Sequence, residues 1–205
     1  SELPCGQTHF LYTTMPSAIF RRRRHVHLSA RLIALQLALI QAEQTLHHDD
    51  LTILLNRKGF RRACDLHPEP GSTVLSCAMI DLDDFKAIND TLGHPVGDQA
   101  LQHFAQALRG RLRREDAVAR LGGDEFALLL INASNRNVEC LLQQIQCDLR
   151  QEAMPFGILR FSAGIAEKAP DESLSQTLAR ADAALRQAKQ RGKSCIVYAA
   201  ATTAS

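Results

Sequence analysis

Two apolar runs, residues 117–121 (AVARL) and 126–131 (FALLLI), are joined by Gly122-Gly123-Asp124-Glu125. β-prone runs with a Gly-Gly turn between them read as a hairpin, and this one constrains the fold more than any other stretch. Its glycines permit turn geometry and leave room for a ligand to approach the backbone. The acids that follow then project from a rigid support. The plain alternative is a hairpin whose acids simply face solvent.

Strand and helix patterns alternate on either side of the hairpin. Residues 73–80 (TVLSCAMI) form an apolar run ending in acids, as suits a buried strand. A short helix is expected over 85–92 and a longer one over 97–112, with Leu101, Phe104, Ala105 and Leu108 on one face. Helices over 57–65, 137–152 and 174–191, strands over 158–166 and 195–198, and a loop at 67–72 (HPEPGS) complete the pattern. The expected class is α/β, an α+β sandwich with helices over a single sheet.

Ahead of this lies a different kind of segment. From His25 no Gly or Pro occurs until Gly59, and Leu28, Leu32, Leu35, Leu39, Ala42 and Leu46 recur at alternating steps of four and three. That is the seam of a two-stranded coiled coil, so residues 25–48 are expected to form a helical, dimerising stalk. An amphipathic helix packed on its own domain would share the pattern. Residues 1–24 are expected to be the remnant of an upstream segment or linker, 49–198 the main domain, and 199–205 a tail.

Charge narrows the function. Among 205 residues, 24 Lys and Arg oppose 22 Asp and Glu, a net charge of +2. Such a balance excludes a strongly basic nucleic-acid binder. It is unevenly spread: residues 49–125 hold 13 of the 22 acids, while residues 1–31 hold five Arg and one acid. The segregation suggests a stalk or tail attached to a domain with a carboxylate-lined site. Six Cys (5, 64, 77, 140, 147 and 195) form no C-x-x-C pair, and no run of 18 apolar residues occurs. Reduced thiols in the cytoplasm are the simple reading. The chain begins at Ser, as a piece of a longer protein would, and Arg21–Arg24 would suit a position beside a membrane, leaving open a tether through an upstream region.

Two acidic groups carry the chemistry. Asp81-Leu82-Asp83-Asp84-Phe85-Lys86 falls where a buried strand ends, and in an alternating strand Asp81 and Asp83 share a side. If the hairpin pairs beside this strand, Asp124 and Glu125 meet Asp81 across the ladder. Carboxylates on adjacent strands suit a two-metal site for phosphoryl transfer, since Mg²⁺ takes hard oxygen ligands and needs only a few from protein.

Arg120-Leu121-Gly122-Gly123-Asp124-Glu125-Phe126 resembles the signature of the GGDEF family, the diguanylate cyclases. Further blocks fall in the family's order. Residues 49–57 (DDLTILLNR) look like its opening motif D-x-L-T-G-L-x-N-R. Residues 81–90 (DLDDFKAIND) and 93–98 (GHPVGD) look like its nucleotide-binding stretch, and residues 181–189 resemble its late helix. The likeness spans about residues 49–198.

The resemblance implies a central, mostly antiparallel sheet like that of nucleotidyl cyclases and polymerase palms. It implies condensation of two GTP to cyclic di-GMP, with two Mg²⁺ (or Mn²⁺) per active site, in a homodimer controlled by an upstream sensory domain. Asp81 and Glu125 would bind metal, helped by the Leu82 carbonyl, and Asp124 would sit beside the attacking 3′-hydroxyl or assist metal binding. Asn89 and Asp98 would read the guanine edge, while Phe85, Lys86, Lys189 and Lys193 would approach the phosphates. Without the family context, these lysines are ordinary surface residues, and Asn89 and Asp98 suit helix N-caps. Arg113-Arg114-Glu115-Asp116 resembles the family's R-x-x-D site, where Arg113 and Asp116 would clamp inhibitory product; a charged helix end is the alternative.

Three positions depart from the family pattern. Ile53 stands where Gly is usual, Arg186 replaces an aromatic, and Lys193 replaces an Arg, keeping charge but losing bidentate geometry. Competing expectations are a weak or inactive domain serving as a receptor for cyclic di-GMP or GTP, and a purely structural dimerisation module.

Overall fold

The computed structural model describes residues 31–38, 45–66, 74–151 and 154–200. It divides into two units, Ser1–Glu43 and Gln44–Ser205. In the first, residues 31–38 are helical (α1), and Leu32, Ile33, Leu35 and Leu37 are all exposed. Leu28, Leu39 and Ala42 of the expected seam lie outside the described residues, as do Arg21–Arg24 and the loop at 67–72.

The second unit runs α2 (Arg57–Leu66), β1 (Leu75–Leu82), α3 (Phe85–Leu92), α4 (His94–Arg111), β2 (Ala117–Gly122), β3 (Glu125–Ile131), α5 (Asn135–Gln151), β4 (Phe161–Glu167), α6 (Leu174–Gln190) and β5 (Ile196–Tyr198). The strands form one sheet in the order β2-β3-β1-β4-β5. Every pairing is antiparallel except that of β4 with β5. The expected sandwich with a mostly antiparallel sheet is what the chain adopts.

Alternation along β1 divides the core between the two faces of the sheet. Ala78, Ile80 and Leu82 join Phe104, Leu108, Phe126, Leu142 and Phe161 in the cluster beneath α4 and α5. Cys77 and Met79 face the other way, packing with Phe60, Ala127, Leu129 and Ala181 beneath α2 and α6. Small residues line this second face, and α6 comes very close to it. A Cβ on Gly164 of β4 would lie 2.1 Å from the Ala181 carbonyl oxygen. Glycine is required there by contact with the helix backbone.

Boundaries moved where tertiary partners overrode local pattern. β1 runs on through Leu82 because Asp81 finds Glu125 on one side and Ser162 on the other. α4 starts at His94 rather than residue 97, with Pro95 accommodated in its first turn, where no amide donor is needed. β4 starts at Phe161 rather than residue 158, after Gly157 turns the chain at φ 74°.

Candidate active site

The ladder of β1 with β3 sets Asp81 directly opposite Glu125. Opposed residues share a face of the sheet, here the face covered by α2 and α6. The hairpin turn between β2 and β3 is formed by Gly122 (φ 146°) and Gly123 (φ 54°), conformations that favour glycine. The Leu82 amide donates to the Asp124 carbonyl at 3.2 Å, binding the hairpin tip to the end of β1. The acids meeting across the ladder are thus a consequence of register.

Each acid is met by a cation from a covering helix. Lys189 Nζ of α6 lies 2.6 Å from Asp81 Oδ2, and Arg57 of α2 stands 3.8 Å from Glu125 Oε2. Burial pushes the Asp81 carboxyl above its ordinary value; the Lys189 hydrogen bond pulls it back, while the charges of Asp124 and Glu125 push it further up. Asp81 and Glu125 are the oxygen donors available here to a hard divalent cation. Among the described residues no three His, Cys, Asp or Glu side chains form a group able to hold one.

Asp83 has a different task from Asp81. Its buried carboxylate accepts from Ser162 Oγ at 2.8 Å and from the Ser194 amide at 2.8 Å. It fastens the loop before β5, and that loop carries Lys193, whose ammonium is 2.7 Å from Asp84. Asp84 precedes α3 in a left-handed conformation (φ 59°), and no side chain caps that helix's first turn. Phe85 is buried in the core, so only its backbone can serve a ligand, whereas Lys86 is exposed.

Asn89 and Asp98 are not N-caps. Asn89 lies within α3 and Asp98 within α4, whose N-cap is Gly93. The Asn89 side chain lies over Gly97, where an added Cβ would be 1.9 Å from its Oδ1. Gly97 therefore leaves the space that the Asn89 amide fills.

Arg113 and Asp116 close the turn after α4. One Asp116 oxygen accepts from the Arg113 amide at 3.0 Å, the other from the Ile131 amide at 3.1 Å. The Asp116 carboxylate is thereby fixed, while Arg113 is exposed beside Arg114 on a cavity of about 610 Å³. Arg186 pairs with Asp182 one helical turn away. Ile53 adopts φ 60°, which accounts for the glycine usual at that position.

Arg120 carries a structural role that sequence reasoning missed. It bonds Asp49 and the Gly123 carbonyl, while Asp49 also accepts from the Thr52 amide and hydroxyl. Burial raises the Asp49 carboxyl, but these donors outweigh it and hold the group below its ordinary value. The signal was present in the D-x-L-T block and the Arg before the turn; what was missing was their proximity.

The five-stranded sheet, with carboxylates at one end and helices on both faces, has the palm-like fold of nucleotidyl cyclases. Residues 46–195 match the family described as "Diguanylate cyclase, GGDEF domain", and the chain belongs to that family. It is 35% identical over 168 residues to diguanylate cyclase DgcM of Escherichia coli K12, covering 78% of this chain and 40% of that protein. A shorter match, 50% identical over 91 residues, links it to diguanylate cyclase TpbB of Pseudomonas aeruginosa, with 41% of this chain and 20% of that one covered. The chain therefore spans well under half the length of these relatives. Among solved structures, the coiled coil and GGDEF domain of DgcB from Caulobacter crescentus, in complex with c-di-GMP, superposes with a TM-score of 0.79 at 31% identity, covering 87% of this chain and 98% of that one. SiaD of Pseudomonas aeruginosa, solved with its activator SiaC, gives 0.68 at 32% identity over 89% and 74% of the two chains.

Among the described residues, no helix is long and apolar enough to cross a membrane.

Proposed function

We propose that this domain is a diguanylate cyclase, condensing two GTP into cyclic di-GMP and two pyrophosphates. The observation that carries this reading is the in-register pairing of Asp81 with Glu125, beside Asp124, at a sheet end bordered by Lys189. In each of two equivalent steps, a 3′-hydroxyl oxygen of one GTP bonds to the α-phosphorus of the other. The bond to pyrophosphate breaks and the hydroxyl proton departs. One domain cannot close the ring alone, so two copies face each other as a homodimer, and an upstream sensory domain would govern how they meet.

Asp81 and Glu125, with the Leu82 carbonyl, would hold Mg²⁺ or Mn²⁺, two ions per site, the nucleotide supplying the remaining oxygens. Bound there, the metal would neutralise phosphate charge and make the hydroxyl a better nucleophile. Asp124 orients that hydroxyl and receives or relays its proton. Asn89 and Asp98 hydrogen-bond the guanine edge and so prefer GTP to ATP. A triphosphate carries about four negative charges; Lys86, Lys189, Lys193 and the Phe85 amide meet them. Arg113 would bind product through its guanidinium fork, with Asp116 beside it, giving feedback inhibition.

Incubation of the purified protein with GTP and Mg²⁺ tests the reading, with Glu125→Gln as control. Cyclic di-GMP formed by the wild type and lost in the variant supports it. Absence of turnover together with tight binding of cyclic di-GMP overturns it in favour of a receptor.

A further inference from the structure

The two ladder acids are not equally engaged. Lys189 Nζ is in full contact with Asp81 at 2.6 Å, whereas Arg57 stands off Glu125 at 3.8 Å. The Asp81 side chain is only 10% exposed and that of Lys189 is 40% exposed. A largely buried carboxylate is costly to leave unpaired, and in the ligand-free protein Lys189 supplies the partner. The arrangement is built to come apart. Lysine is a compact charge on a flexible four-carbon stem, and this one reaches Asp81 from the last turn of α6, at the rim of the site.

We propose that Lys189 is an internal counter-ion of Asp81, which a divalent cation must displace and which the nucleotide's phosphates draw away. The inference rests on the reading of Asp81 as a metal ligand. An ammonium and a divalent cation in contact with one carboxylate repel each other strongly. A cation arriving alone must therefore expel Lys189 into solvent, with no new partner for it. A cation arriving with a triphosphate meets no such cost, because Lys189 passes from a carboxylate oxygen to a phosphate oxygen. One side chain thus makes metal and nucleotide binding cooperative, and the coupling is reciprocal. Lys193 and Asp84 form a second pair, 2.7 Å apart, on the adjoining loop. Both are exposed, so solvent weakens their hold, and the exchange is dominated by Lys189.

Mn²⁺ is the probe, its free concentration read by electron paramagnetic resonance with the full chain. Binding is measured without nucleotide and with a non-hydrolysable GTP analogue. Lys189→Gln is expected to bind Mn²⁺ alone about tenfold more tightly than the wild type, and to lose most of the enhancement that the analogue gives. Lys189→Arg, which keeps the charge, should retain the weak binding of the wild type. Unchanged or weaker Mn²⁺ binding by Lys189→Gln, with binding in the wild type still dependent on Asp81, overturns the exchange and leaves the metal reading standing. If Asp81→Asn does not diminish Mn²⁺ binding even with the analogue present, both fall. Lys189→Met guards against a new contact made by the glutamine amide and should behave as Lys189→Gln does.

Discussion

Arg120 joins Asp49 to the hairpin turn across 71 residues of sequence: its Nη1 lies 3.1 Å from Asp49 Oδ1 while its Nε lies 2.8 Å from the Gly123 carbonyl. The guanidinium is a bracket between the segment that opens the domain and the turn that presents Asp124 and Glu125. Its side chain is 13% exposed and that of Asp49 is 24% exposed, so water screens the pair poorly.

Loss of the bracket should affect chemistry more than binding. Asp49→Ala is expected to cost about 1.5–3 kcal/mol of stability, the usual scale for a hydrogen bond to a charged group. It should lower kcat for GTP condensation about tenfold, because small displacements of reacting groups are expensive. KM should change little, since Asn89 and Asp98 sit on other elements. Denaturant melts and steady-state kinetics check both; a KM effect without a kcat effect would assign the bracket to nucleotide binding instead.

Ile53 spends free energy on its backbone. It sits at φ 60° and 64% exposed, so its branched side chain gains little from packing in return. A left-handed conformation costs an L-residue about 1–2 kcal/mol, partly offset by the greater chain entropy of glycine. Ile53→Gly should therefore stabilise the domain by about 0.5–1 kcal/mol. Calorimetry should show Tm higher by roughly 1–3 °C, with activity unaltered.

Gly97→Ala separates stability from nucleotide recognition. A Gly inside a helix normally gains about 1 kcal/mol on replacement by Ala. Here the new methyl would take the space of the Asn89 amide, and that side chain must rotate away. Stability should change by less than about 1 kcal/mol, while GTP affinity falls about tenfold and preference over ATP weakens, as loss of a specific hydrogen bond demands. Isothermal titration with both nucleotides decides it. Full retention of GTP preference would remove Asn89 from the guanine site.

Acid should loosen the sheet edge near β5. The Glu172 carboxylate, 7% exposed, takes two donors from Arg180, including Nε at 2.6 Å, while Arg180 also reaches the Glu167 and Ala200 carbonyls. The Arg180 hydrogen bonds hold the Glu172 carboxyl below its ordinary value despite burial. A lowered folded-state value means stability that is present above the unfolded value, about 4.3, and lost as pH falls through the folded one. Glu172→Gln should cost about 1–2 kcal/mol at pH 7 and show a smaller further loss between pH 5 and pH 3 than the wild type. Urea unfolding at the three pH values measures the difference.

The sequence made the acidic edge of the sheet legible through its local rules. The Gly-Gly turn marked the hairpin, and the meeting of Asp81 with Glu125 followed once β3 paired with β1; alternation, which set Asp83 on the side of Asp81, did not carry past Leu82, where β1 ends. Long-range pairings left no local trace. The contact of Lys189 with Asp81, the Arg120 bracket and the separation of Asp83 from Asp81 all depend on how α6, the opening segment and β4 come to one end of the sheet. Periodicity sees a residue's own element and not the element that will cover it. The same blindness made Asn89 and Asp98 resemble caps, when helix boundaries set by Gly93 and Pro95 place both inside helices.

Asp83 imposes an order on the molecule's making. Its carboxylate is buried, yet one of its donors, Ser194, lies 111 residues later. On the ribosome, β1 is complete long before that serine emerges. A nascent chain holding β1 through β4 would contain an acid with Ser162 in place and its final donors still unmade, so the sheet end could not settle until the last strand's lead-in arrived. Because Lys193 stands in that same lead-in, closure of this sheet end and arrival of the loop's cation coincide.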